Sequence, residues 1–120
     1  MRHDTLPNLE TIKAMESLLK VSGDATRIKI MFSLIDDTKC ECLCDTCGHC
    51  EHRCCMVEKN VSEIVEATGA SQSLVSHQLK TLKDAGLVSI RREGTKVYYS
   101  LSDGHIKALL KVVQEHVLEE

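Results

Sequence analysis

The chain has 120 residues, a formal net charge of −3 and 42% hydrophobic residues, with seven cysteines, one proline and no tryptophan. That length fits one domain, 1–120, whose modest core a dimer partner would extend, and the Leu, Val and Ile content suits helices better than a β-sandwich. No apolar run approaches the roughly 20 residues that span a bilayer, and MRHDTLPNLETIK lacks a secretory apolar region, so a cytoplasmic chain with no membrane partner is expected.

From Leu9 to Val21, Leu9, Ile12, Met15, Leu18 and Leu19 recur at helical spacing. Ser22-Gly23-Asp24 interrupts the pattern, and Asp24 is placed to cap a second helix through ATRIKIMFSLI. A polar, cysteine-rich insertion without amphipathic period follows, at about 37–60. VSEIVEAT predicts a short helix with Val61, Ile64 and Val65 inward and Thr68 as a fourth candidate. Gly69 predicts a turn, Ser71 an N-cap, and Gln72 to about Ala85 a further helix that Gly86 stops. LVSIRRE and KVYYSL read as two strands joined at Gly94-Thr95 in a hairpin. Ser102 or Asp103 then caps a last helix that runs toward the end of the chain.

The order helix, Gly-containing turn, helix, basic hairpin is a winged helix-turn-helix pattern. On a helical wheel Leu74, Val75, Leu79, Leu82 and Ala85 gather on one side of the second of these helices, and Gln72, Ser73, Ser76, His77, Lys80 and Lys83 on the other. A major groove needs such a face, with small polar groups for base edges and basic groups for phosphates. Gln72 suits adenine, Ser71, Ser73, Ser76 and His77 suit bases or phosphates, Lys80 suits phosphates, and Arg91, Arg92 and Lys96 on the hairpin suit flanking phosphates or the minor groove. Charge agrees: residues 71–100 carry +3 while the rest of the chain carries −6. A solvated helix face beside a surface hairpin is the alternative reading of the same residues.

SGDATRIKIMFSL, VSEIVEATGASQSLVSHQLKTLKDAGLV and IRREGTKVYYSL together resemble the ArsR/SmtB family of bacterial metal-responsive repressors across nearly all of the chain outside the insertion. The resemblance implies a mainly α fold with a small β-hairpin, a winged helix-turn-helix that forms a homodimer through its first and last helices. It also implies binding to double-stranded operator DNA and repression of metal-efflux or metal-storage genes, relieved when metal binds.

Asp103, His105, His116 and Glu119 are four competent ligands on the last helix. The two histidines lie within about 20° of each other on the wheel but about 16 Å apart along the axis, too far for one ion with ligands at about 2 Å. Antiparallel packing of two such helices would bring Asp103 and His105 of one copy to His116 and Glu119 of the other, giving two sites per dimer. Nitrogen and oxygen ligands in a tetrahedral set suit Zn(II). D-x-H followed by H-x-x-E also matches the zinc-sensing site that the family carries on its last helix. The stripe Ile106, Leu109, Leu110, Val113 and Val117 borders the histidine face and is expected in the dimer contact.

All seven cysteines fall in CECLCDTCGHCEHRCC. Cys40, Cys42, Cys44, Cys47, Cys50, Cys54 and Cys55, with His49 and His52, form a second candidate metal set, for Zn, Cd or Cu(I). A cytoplasmic setting and an odd count both argue against a disulfide framework. Relatives that sense soft metals carry a cysteine pair in an ELCVCDL-type motif; here the stretch is EKNVSEI, with Asn60 and Ser62 at those positions, so that sensor is missing. The loop reads as a structural knot, a metal-buffering segment, a soft-metal switch or an oxidation-sensitive thiol set. No nucleophile-base constellation is present, and an enzyme is not expected.

Overall fold

A computed structural model describes residues 6–36, 38 and 55–119. Five helices and one hairpin follow in the order α1 (Leu9–Ser22), α2 (Ala25–Ser33), α3 (Val61–Thr68), α4 (Gln72–Asp84), β1 (Val88–Glu93), β2 (Lys96–Leu101) and α5 (Gly104–Leu118). Each helix starts where a side chain satisfies its free N–H groups. Asn8, Asp24, Ser71 and Asp103 accept from Thr11, Arg27, Leu74 and His105 amides respectively. Asn60 and Glu63 form a reciprocal capping box at α3, each bond 2.9 Å.

α2 ends two residues before the sequence pattern suggests, because Ile35 leaves the helix to pair with Met56. Asp36 N donates to the Cys55 carbonyl at 2.7 Å, and Val57 N donates to the Leu34 carbonyl at 3.0 Å. These bonds join the chain on either side of the cysteine-rich segment. Lys59 Nζ donates to the Ser33 carbonyl, satisfying an acceptor at the end of α2. Residues 55–60, grouped with the insertion on composition, are thus built into the domain.

The helix-turn-helix depends on two positive-φ glycines. Gly69 ends α3 at φ 77. Gly86 follows α4 at φ 80, where Gly86 N donates to Lys83 O and Leu87 N to Leu82 O. That is a Schellman stop, and its apolar pair Leu82 and Leu87 is buried. Leu87 therefore delivers the chain into β1 with its side chain already in the core.

β1 and β2 pair antiparallel with Arg91 opposite Tyr98 and Arg92 opposite Val97. The core comprises Ile30, Met31, Leu34, Ile64, Val75, Leu79, Leu82, Leu87, Val88, Leu101, Ile106 and Leu110. α1 buries none of its residues. Leu9, Ile12, Met15 and Leu19 are each more than 40% exposed, a long apolar face that the described residues leave largely uncovered. No helix among the described residues is long and apolar enough to cross a membrane.

Candidate nucleic-acid interface and metal site

α4 has the two faces that its sequence suggests, with one revision. Val75, Leu79 and Leu82 are fully buried, but Leu74 is 39% exposed and Ala85 is exposed. Leu74 lies in the first turn beside the fully buried Val75, on the flank of the buried face. Gln72, Ser73, Ser76, His77, Lys80 and Lys83 are all exposed. The Ser71 hydroxyl caps α4 by accepting from Leu74 N at 3.2 Å, and Lys80 pairs with Asp84 at 3.1 Å across one turn. The buried side ties α4 rigidly to α2 and α3 while the polar side stays open.

The hairpin cations differ from one another. Arg91 is held by Glu58 and Glu93 at 2.9 and 3.1 Å and stands over the Tyr98 ring. Hydrogen bonds that it donates to Glu58 first, then to Glu93, push its guanidinium further above its ordinary range. Arg92 and Lys96 are exposed, and among the described residues no ion pair engages them. Glu58 is absent from the sequence-based set of functional residues. It lies 33 residues from Arg91, and no local periodicity signals a contact at that separation.

On α5 the four candidate nitrogen and oxygen ligands fall into two halves. Asp103 Oδ1 accepts from the amides of His105 and Ile106 at 2.9 and 3.2 Å and lies 3.6 Å from His105 Nδ1. Both side chains are more than half exposed. His116 and Glu119 occupy the exposed far end, where Glu119 is the C-terminal cap residue. Among the described residues, no group of three or more His, Cys, Asp or Glu side chains comes close enough to hold a metal. One chain therefore offers two half-sets, and the donor chemistry fits a tetrahedral ion only when a second copy supplies the complement.

The expected α5 stripe divides as well. Ile106 and Leu110 belong to the core of their own chain, whereas Leu109, Val113 and Val117 are 37%, 53% and 72% exposed. With Leu19, Ile28 and Phe32 they line an apolar groove of about 430 Å³ between α1, α2 and α5. Of the thiol set, Cys55 alone is described; it is 3% exposed and adopts φ 71. Cys40, Cys42, Cys44, Cys47, Cys50, Cys54, His49 and His52 lie outside the described residues.

Comparison with known proteins agrees with this architecture. Residues 57–89 match the model for bacterial regulatory proteins of the arsR family. A transcriptional repressor SmtB homolog of Synechocystis is 30% identical over 93% of this chain and 70% of its own length. A cadmium resistance transcriptional regulatory protein CadC homolog of Staphylococcus aureus is 33% identical, over 85% of this chain and 69% of its own. Among solved structures, the homodimeric winged helix-turn-helix DNA-binding domain of a possible ArsR-family regulator from Mycobacterium bovis superposes with a TM-score of 0.69. It is 24% identical, with 98% of this chain and 90% of that one covered, and so speaks for the fold.

Proposed function

The chain belongs to the arsR family of bacterial regulatory proteins, and from that premise we propose that it is a homodimeric repressor that releases operator DNA on binding Zn(II). The genes it controls would be those of metal efflux or storage. α4 lies in the major groove, its exposed Gln72, Ser73, Ser76 and His77 toward base edges. Lys80, with Arg92 and Lys96 of the hairpin, takes phosphates.

Asp103 and His105 of one copy, with His116 and Glu119 of a second, would hold the ion, which would supply a bond between the two copies that neither chain makes alone. The observation that carries this reading is the division of the ligands into two exposed half-sets at opposite ends of a helix that also exposes an apolar face. The dimer has a DNA-binding arrangement and a released one, and the metal shifts them only by its differential affinity. The apolar faces of α1 and α5 supply the dimer contact.

The crowding of thiols and imidazoles in residues 40–55 supports a second reading, in which a soft metal or an oxidant at that loop drives release. A loop that merely buffers metal would leave DNA binding unchanged. Fluorescence anisotropy on a DNA duplex selected by the wild-type chain separates the three readings. The variant carries serine at Cys40, Cys42, Cys44, Cys47, Cys50 and Cys54. Release by zinc in that variant, lost again when His105→Ala or His116→Ala is added, supports the α5 site. A variant that binds DNA but ignores zinc assigns the switch to the loop.

A further inference from the structure

Glu58 lies in the short strap between the cysteine-rich segment and α3. Its carboxylate accepts from Arg91 Nε at 2.9 and 3.0 Å and from Nη2 at 2.9 Å, a two-pronged grip that uses one whole edge of the guanidinium. Glu93 accepts from Nη1 at 3.1 Å, and the guanidinium carbon stands 4.7 Å from the centroid of the Tyr98 ring. The two carboxylates thus take donors on Nε, Nη1 and Nη2 of one guanidinium, and a phosphate at Arg91 would have to displace them.

The neighbouring residue pins the same strap through its backbone. Lys59 N donates to Tyr99 O at 3.0 Å, and Tyr99 N donates to Lys59 O at 2.8 Å. Glu58 thus reaches β1 while Lys59 holds β2, and the next residue, Asn60, caps α3. Three successive residues connect the hairpin to the first helix of the helix-turn-helix. Arg92 points to the opposite face of the strand from Arg91.

We propose that Glu58 is a positioning residue for DNA binding: it holds Arg91 as a brace that sets the hairpin against the helix-turn-helix, leaving Arg92 and Lys96 as the hairpin's phosphate contacts. The inference rests on the DNA-binding reading above and deepens it. Isolated surface ion pairs usually contribute little, but a bidentate pair in a network can hold an orientation.

The test is the salt dependence of binding to a duplex that the wild-type chain selects from a random-sequence pool. Glu58→Ala, Arg91→Ala and Arg91→Lys should each weaken binding about fivefold. Arg91→Lys should resemble Arg91→Ala, because an ammonium cannot fill the fork geometry. The double variant Glu58→Ala/Arg91→Ala should be no weaker than either single one. The slope of log K against log salt should stay at the wild-type value in all of these. Arg92→Ala should make that slope shallower by about 0.9 for each phosphate that the arginine neutralises.

A slope in Arg91→Ala reduced like that of Arg92→Ala, near-normal binding by Arg91→Lys, or tighter binding by Glu58→Ala would overturn the brace and leave the DNA-binding reading standing. A wild-type chain that enriches no duplex would overturn both.

Discussion

Asp103 and His105 are joined twice: Asp103 Oδ1 accepts from the His105 amide at 2.9 Å and lies 3.6 Å from the same residue's Nδ1. The carboxylate that starts α5 is thereby also held beside the first imidazole of the candidate metal set. The helix cap and the position of the candidate ligand His105 share one side chain.

Those two duties separate by substitution. Asp103→Asn keeps an N-cap acceptor but loses the anionic ligand, so the thermal midpoint should stay near wild type while zinc-dependent release of DNA is lost. Asp103→Ala removes both, and should also cost about 1 kcal/mol of stability. Thermal denaturation of both variants without metal, followed by zinc titration against bound DNA, reads the two effects apart. Equal midpoints for the two would argue against the capping role.

The half-sets at opposite ends of α5 make a prediction about mixed dimers. His105→Ala and His116→Ala should each disable both sites of a homodimer. Refolding the two variants together gives heterodimers in which one site is intact and the other lacks both imidazoles. Cobalt absorbance should then recover to about half the wild-type amplitude per heterodimer. No recovery on mixing would mean that the ligands do not meet across a twofold axis.

α4 should respond to truncation according to face. Leu79 is fully buried, so Leu79→Ala should cost about 2–5 kcal/mol in urea denaturation. Leu74 is 39% exposed, and Leu74→Ala should cost about 1 kcal/mol or less. In the proposed complex its exposed side chain would meet a thymine methyl, so operator affinity should fall more than stability does. Comparable stability losses at the two positions would contradict the burial pattern.

Cys55 should be slow to react in the folded chain. With serine at the other six cysteine positions, the remaining Cys55 thiol is 3% exposed, and a disulfide reagent should modify it at least about tenfold more slowly in the folded chain than in urea. Cys55→Ser places a hydroxyl there and should cost about 1–3 kcal/mol. Rapid labelling of native Cys55 would show that this part of the strap opens in solution.

Local chemistry made most of the helical framework legible in advance. Asp24, Ser71 and Asp103 cap the helices that follow them, and Gly69 and Gly86 take the positive φ that their turns need. These signals operate within four residues, so a linear reading captures them. The end of α2 and the status of residues 55–60 were not legible in that way. Ile35 and Met56 are a pair across the cysteine-rich segment, and composition does not disclose a long-range pairing. Periodicity also marked one apolar stripe on α5 that packing divides between the chain's own core and its exposed face.

What the residue order carried alone was therefore the kind and order of the elements, the polar face of α4 and the placing of Asp103 and His105 at one end of α5 and His116 and Glu119 at the other. Spacing is enough for these, because helix and strand periods place side chains by angle and rise. Folding in three dimensions settled which cation is already engaged. Arg91, Arg92 and Lys96 look alike as charges along the chain, yet Glu58, 33 residues away from Arg91, grips that one alone. The distinction comes from the bridge between Lys59 and Tyr99, which brings the strap beside the hairpin and so sets the reach of its carboxylate.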